Sequence, residues 1–315
     1  MRPELPERVG PYEVLGRLSH RGAPTEVFKA RAKNGVLVCV KRMHPQAEDV
    51  EFALRFGVEL ELAAALLHVN LVTVIEHGHD GGPYFVMEWV DGVDLHGLLR
   101  SVGTLPPELV VYLGVELCRG LAYVHHSEWT KNVAGEREQV RGPVIHGDIS
   151  PSNILLARTG FVKLADFGLA RALGRTGLRT MAELVGKPMY WSPEQLEDDE
   201  VGVESDLFAV GLVLWRALVG THPYAEGRPA RGPARRSLND WVAERTLLGD
   251  MGRRSVVEAA PQAPPTLQRV IEGLLQVREK RIGRAEELCE TLRRIEPLDG
   301  HAQLGPLVGR ASGSR

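Results

Sequence analysis

Two hydrophobic periods divide this chain, and they change over near residue 91. From Tyr12 to Met43, β-branched and aromatic residues come in short runs, EVFKA and VLVCVKR, separated by Asn34-Gly35. That dipeptide between alternating apolar segments is a strong hairpin signal. Asp49 to Leu67 then carries apolar residues at helical spacing without proline, and a second strand pair, LVTVIEHG and PYFVMEWV, flanks the turn DGGP. A chain that begins this way has to build an antiparallel sheet of five strands with one helix. Beyond Asp91-Gly92 the spacing becomes helical, from Leu109 to His126, Ser205 to Val219 and Thr266 to Val277, with short strand-like pieces at NILL and VKLAD. The expectation is an α+β molecule of two lobes: residues 10–90 small and sheet-rich, residues 91–296 mainly helical, and residues 297–315 a flexible tail. The tail (LDGHAQLGPLVGRASGSR) reads as flexible because it is rich in Gly, Ser and Arg without evident apolar periodicity. A polar stretch from Trp129 to Gly142 reads as a surface hairpin around Gly135.

Composition narrows the function by exclusion. With 43% hydrophobic residues among 315, a large core is available, and a formal charge of -3 gives no reason to expect a nucleic-acid or polyanion partner. Cys39, Cys118 and Cys289 lie far apart with no CxxC pair, which argues against structural zinc and for reduced thiols in a cytoplasm. The polar first ten residues lack the apolar segment of a secretory signal. The longest apolar run, Leu207 to Val219, is interrupted by Arg216 and is too short to span a bilayer, so no membrane span is expected in this chain.

Chemistry is concentrated in three clusters that follow one another in a fixed order. They are Val38-Cys39-Val40-Lys41, then His146-Gly147-Asp148 with Asn153 five residues after the aspartate, then Asp166-Phe167-Gly168. Taken singly each has an ordinary explanation: Lys41 as a solvated charge on a strand, the others as turn formers. Together, and followed by Ser192-Pro193-Glu194 and Asp206 to Gly211, they resemble the catalytic domain of the bacterial, eukaryotic-like serine/threonine protein kinases over roughly residues 10 to 295. The stretch 129–142 and the Ser-Pro-x-Asn form of the loop are similar to kinases of predatory and social soil bacteria.

The resemblance implies a two-lobed kinase fold and transfer of the γ-phosphoryl of Mg-ATP to Ser or Thr of a protein, the chain itself included. It assigns Asp148 as the base accepting the substrate proton, Asn153 and Asp166 as oxygen ligands for Mg²⁺, and Lys41 as the cation on the α and β phosphates. Glu59 is implied as the partner of Lys41, since it precedes the HPNIV-like His68-Val69-Asn70-Leu71-Val72 by nine residues; Glu61 competes for the role. Around the nucleotide it places Gly22, Val27, Cys39, Met87, Glu88, Val90, Asp94 and Leu155, with Val27, Cys39 and Leu155 against the adenine, Met87 as gatekeeper, the backbones of Glu88 and Val90 on the base, and Asp94 near the ribose. It also implies that Asp206 hydrogen-bonds the catalytic-loop backbone and that Glu194 pairs with Arg281.

The chain departs from the family pattern in four places. The glycine-rich loop reads His20-Arg-Gly22-Ala-Pro24-Thr25-Glu-Val27, keeping one glycine, and Pro24 removes a backbone donor. Gly147 replaces the usual arginine before the catalytic aspartate. Ser150 stands where these enzymes carry lysine, and Lys187 where they carry threonine, an exchange that keeps one cation for the transferred phosphoryl. Two alternatives stay open at this point: a pseudokinase that binds nucleotide or partners without catalysis, and a small-molecule kinase of the aminoglycoside or choline type. The second generally lacks the GxPxYxxPE segment, present here as Gly186 to Glu194.

Overall fold

A computed structural model describes residues 5–19, 25–44, 50–127, 129–133, 136–140, 143–166, 188–197, 199–225, 237–248, 253–295 and 299–313. The chain divides into two compact units, residues 1–91 and 92–315.

In the first unit, strands β1 (Arg8–Val9), β2 (Tyr12–Arg17), β3 (Thr25–Arg31), β4 (Leu37–Met43), β5 (Val74–His79) and β6 (Pro83–Glu88) form one sheet in the order β1-β2-β3-β4-β6-β5, with helix α1 (Val50–Ala65) between β4 and β5 in sequence. Every pairing is antiparallel. The five expected strands gain a sixth, β1, whose two residues are too few to show an alternation in sequence. Side-chain alternation along the strands sorts the two faces. Val9, Tyr12, Phe28, Ala30, Val38, Val40, Tyr84 and Val86 pack into a core on one of them. Cys39 and Lys41 therefore point the other way, opposite Met87 and Phe85 in the β4–β6 register. The Phe56 ring of α1 meets Phe85 at 5.3 Å between centroids, so α1 covers this second face.

In the second unit, β7 (Gly92–Asp94), β10 (Ile154–Ala157) and β11 (Val162–Leu164) form a small antiparallel sheet in the order β11-β10-β7. The segments Trp129–Val133 (β8) and Glu136–Val140 (β9) pair as the expected hairpin. The helices are α2 (Leu95–Val102), α3 (Pro107–His125), α4 (Pro193–Leu196), α5 (Val203–Val219), α6 (Leu238–Leu247), α7 (Val256–Ala259), α8 (Pro265–Leu274), α9 (Ala285–Arg293) and α10 (Gly300–Gly313). From Ser205 to Trp215 every residue of α5 is buried, the mark of a helix enclosed on all sides. It packs on α3 and α8, and α9 packs on α3. Among the described residues no helix is long and apolar enough to cross a membrane.

The expected flexible tail is instead the helix α10, packed on β7, β10, α2 and α3. Leu304, Val308 and Ala311 follow helical spacing and are buried. Its glycines mark close approach: a Cβ on Gly300 would lie 2.1 Å from the ring of Tyr112. His301 fills the adjoining space, edge-on to Phe161 and Tyr112, and the Tyr112 hydroxyl donates to the Gly160 carbonyl.

Candidate active site

Each unit carries some of the residues expected at the site. On the α1-covered face of the first sheet, β4 presents the Lys41 ammonium to the Glu59 carboxylate at 2.5 Å, with both side chains under 10% exposed. Strand alternation fixes the direction of Lys41, and the helical spacing of the buried Phe56, Leu62 and Ala63 turns Glu59 inward. Glu61, the competitor, is exposed. A lysine so deeply buried needs a counter-charge, and the Phe85 ring under its ammonium, 5.7 Å to the centroid, adds a second favourable contact.

Val27, Cys39 and Met87 belong to the same sheet; Cys39 pairs with Met87, which is buried, and Val27 with Lys41. Glu88 donates its N–H to the Thr73 carbonyl and accepts the Thr73 N–H on its side chain, so its backbone N–H is engaged within the first unit. Val90 follows β6, outside regular secondary structure. Gly22 lies outside the described residues.

In the second unit, the loop from His146 to Asn153 is held from below by the N-terminal turn of α5. Asp206, fully enclosed, accepts the N–H of His146 at 2.9 Å and of Gly147 at 2.8 Å, and its Oδ2 also meets His125 Nε2 at 2.9 Å. Burial opposes ionisation of Asp206, but the His125 hydrogen bond and charge, with His146 and the Gly147 N–H, outweigh it and hold its pKa below the usual aspartate value. The implied anchoring of the loop backbone by Asp206 is thus present. His125 was not singled out in the sequence, where a histidine ending a helix carries no signal of a partner 81 residues away.

Within the loop, Asn153 donates Nδ2 to the Asp148 carbonyl and to Asp148 Oδ2, both at 2.8 Å. These contacts turn the Asn153 Oδ1 to the opposite side of its amide. The Ala165 N–H donates to the Asn153 carbonyl at 2.8 Å, continuing the β10–β11 ladder and setting Asp166 beside Asn153. Asp166 takes a left-handed backbone, φ 61°, the only positive φ outside glycine among the described residues. His146 completes the frame: Asp148 N–H donates to its Nδ1 at 3.3 Å, which leaves Nε2–H to donate to the Ala165 carbonyl at 3.2 Å.

Ser150 is fully buried in the loop. Leu155 lies on β10, paired with Asp94 of β7, and Asp94 caps α2 by accepting the Gly97 N–H at 2.5 Å. Lys187, Phe167 and Gly168 lie outside the described residues. The oxygen donors of Asn153 and Asp166 suit a hard divalent ion held by few protein ligands and by substrate phosphates. Among the described residues no group of three or more His, Cys, Asp or Glu is placed to hold a metal ion.

The segment before α4 is fixed to the same unit. Glu194 and Arg281 form a buried pair at 2.7 Å, and Ser205 Oγ donates to Glu194 Oε1 at 2.7 Å. Burial raises the Glu194 pKa, but the Arg281 guanidinium and Ser205 more than offset it and hold it below the usual range.

Residues 12–292 match the family model of the protein kinase domain. Among the relatives, the chain is 35% identical over 235 residues to a probable serine/threonine-protein kinase of Streptomyces coelicolor, SCO3848, covering 72% of this chain and 33% of that one. It is 34% identical over 236 residues to the serine/threonine-protein kinase PknB of Mycobacterium leprae, 72% of this chain and 35% of that one. It is 36% identical over 226 residues to the tyrosine-protein kinase MasK of Myxococcus xanthus, 69% of this chain and 34% of that one. The chain spans about a third of the length of these relatives.

Proposed function

The chain belongs to the protein kinase family, and on that premise we propose that it transfers the γ-phosphoryl group of Mg-ATP to a serine or threonine hydroxyl of a protein, itself among the substrates. The observation that carries the reading is the catalytic loop, in which Asp148 is oriented by Asn153 and the backbone before it is anchored by Asp206. The relatives named serine/threonine kinases support the choice of hydroxyl.

Asp148 orients the attacking hydroxyl and takes its proton as the new O–P bond forms and the bond to the β-phosphate oxygen breaks, releasing ADP. Asn153 holds the aspartate through Oδ2. Lys41, held by Glu59, lies against the α and β phosphates. Asn153 Oδ1 and the Asp166 carboxylate would hold Mg²⁺, which neutralises phosphate charge when bound. On this reading the first unit offers Val27, Cys39 and Met87 to the adenine and the backbones of Glu88 and Val90 to the base, and the second unit offers Leu155 to the adenine and Asp94 to the ribose. In the exchange of Ser150 with Lys187, Lys187 brings the cation to the transferred phosphoryl. We place the domain in the cytoplasm, where ATP is plentiful, and its formal charge of -3 gives no reason to expect a nucleic-acid partner.

The test is incubation of the purified chain with radiolabelled ATP and Mg²⁺, alone and with a generic protein substrate. Transfer to serine or threonine is expected, and Lys41→Ala or Asp148→Ala should lower it by about 10²-fold or more. Nucleotide binding with no transfer above the Asp148→Ala background would make the chain a pseudokinase.

A further inference from the structure

Gln195 joins the helix α4 to the catalytic loop, and its amide is used from both ends. The oxygen closes a capping box: Oε1 accepts the Ser192 N–H at 3.0 Å and the Ser192 hydroxyl at 3.3 Å, while the Gln195 N–H donates back to Ser192 Oγ at 3.4 Å. With the oxygen committed to a donor, the amide nitrogen faces the other way, and Nε2 donates to the Gly147 carbonyl at 3.0 Å. The side chain is buried, 6% exposed for the residue.

The Gly147 carbonyl shares its peptide plane with the Asp148 N–H. That N–H donates to His146 Nδ1, and on the other side of the glycine its own N–H donates to Asp206. Gly147 has φ 75°, a conformation that glycine adopts freely but does not enforce, since it has no Cβ to confine it. Rotation of this plane would change the φ of Asp148 and swing its carboxylate, so the plane needs fixing from outside. α4 is a rigid place to fix it from, because the adjacent Glu194 is buried on Arg281 and Ser205.

The choice of amide over acid carries the argument. A glutamate closes a capping box as well as a glutamine does, so the helix gives no reason to prefer one. Only the amide adds a donor, and the Gly147 carbonyl needs a donor. We propose that Gln195 is a positioning residue for the catalytic aspartate, clamping the Gly147–Asp148 peptide to α4 through an uncharged hydrogen bond. The proposal rests on the kinase reading for its consequence, and on geometry alone for the clamp.

Gln195→Glu separates the two uses of the side chain, since it keeps the cap and replaces the donor by an acceptor opposite the carbonyl. At pH 8, well above an ordinary glutamate pKa, hydrogen exchange should quicken in peptides covering residues 146–150 and stay unchanged across residues 193–197. In the same preparation kcat should fall roughly 10- to 100-fold with the KM for ATP within about twofold, the cost expected of a displaced catalytic group. Gln195→Met, similar in size and lacking both donor and acceptor, should quicken exchange in both segments, and it decides the question if the glutamate variant does not fold. Unchanged exchange over residues 146–150 in the folded variants would overturn the clamp. If the unmodified chain transfers no phosphate, the kinase reading fails while the exchange measurement still decides the role of Gln195.

Discussion

His222 lies buried between two aromatic rings, edge-on to Tyr190 at 5.5 Å and tilted against Tyr224 at 6.0 Å. Nε2 donates to the Met189 carbonyl at 2.6 Å and Nδ1 accepts the Tyr224 N–H at 3.3 Å, so one proton serves both contacts and the imidazole is neutral. Burial first, and Arg216 second, push its pKa down to about 4, against the contrary pull of the Met189 carbonyl. An unfolded histidine titrates near 6.5, so the unfolded chain binds the proton more readily than the folded one. The stability that follows is complete above pH 6.5 and is lost as pH falls from there toward 4, by about 2 kcal/mol at pH 5. Urea unfolding of the native chain and of His222→Gln, at pH 7.5 and pH 5, should show the native advantage shrinking by about that amount. A gap that does not change with pH would rule out the neutral buried imidazole. Residues of this kind were hidden in the sequence because their partners are remote in it: Met189 lies 33 positions before His222, and Gly147 lies 48 before Gln195. Lys41 and Glu59 were legible because strand alternation and helical spacing each fix a direction locally, and the family spacing supplied the pairing.

Elements were legible where one period ran long enough to dominate. Strands β3, β4 and β6 and helices α3 and α5 follow from apolar spacing alone, and the turn at Asn34-Gly35 from its composition, with Asn34 Oδ1 accepting the Val36 N–H at 3.1 Å. The helix α10 was missed because Gly and Pro306 within it outweigh its apolar residues, so intrinsic propensity argues against a helix that packing creates. Leu304 and Val308 are nearly inaccessible, at 2% and 0% exposure, and removing the water from each is worth roughly 2 kcal/mol. Leu304→Ala should therefore destabilise the second unit by about 2–4 kcal/mol, through lost transfer energy and the cavity left against its neighbours. An unfolding free energy from chemical denaturation lowered by less than about 0.5 kcal/mol would mean that α10 is a loosely attached segment.

Over the molecule as a whole, the groups that orient the catalytic loop are built into the fold rather than added to it. Kinases that wait for a phosphate on the activation loop read it with the arginine before the catalytic aspartate, whose guanidinium can grip a phosphothreonine bidentately. Gly147 has no such group. In its place the loop is held by Asp206 through the backbone of His146 and Gly147, by Gln195 through the Gly147 carbonyl, and by His146 through the Asp148 N–H. None of these contacts involves a phosphate, and each is made by the unmodified chain. Activity should therefore survive replacement of both threonines on which such a phosphate would fall, Thr176 and Thr180, which lie outside the described residues. The measurement compares initial rates of the native chain, the chain treated with phosphatase, and the double variant Thr176→Ala with Thr180→Ala, all against one exogenous substrate. Rates within about threefold of one another are expected, since no charge-assisted bond to the loop is lost. A fall of more than tenfold in the double variant, at unchanged thermal stability, would show that a phosphate is read by a group other than the one Gly147 lacks.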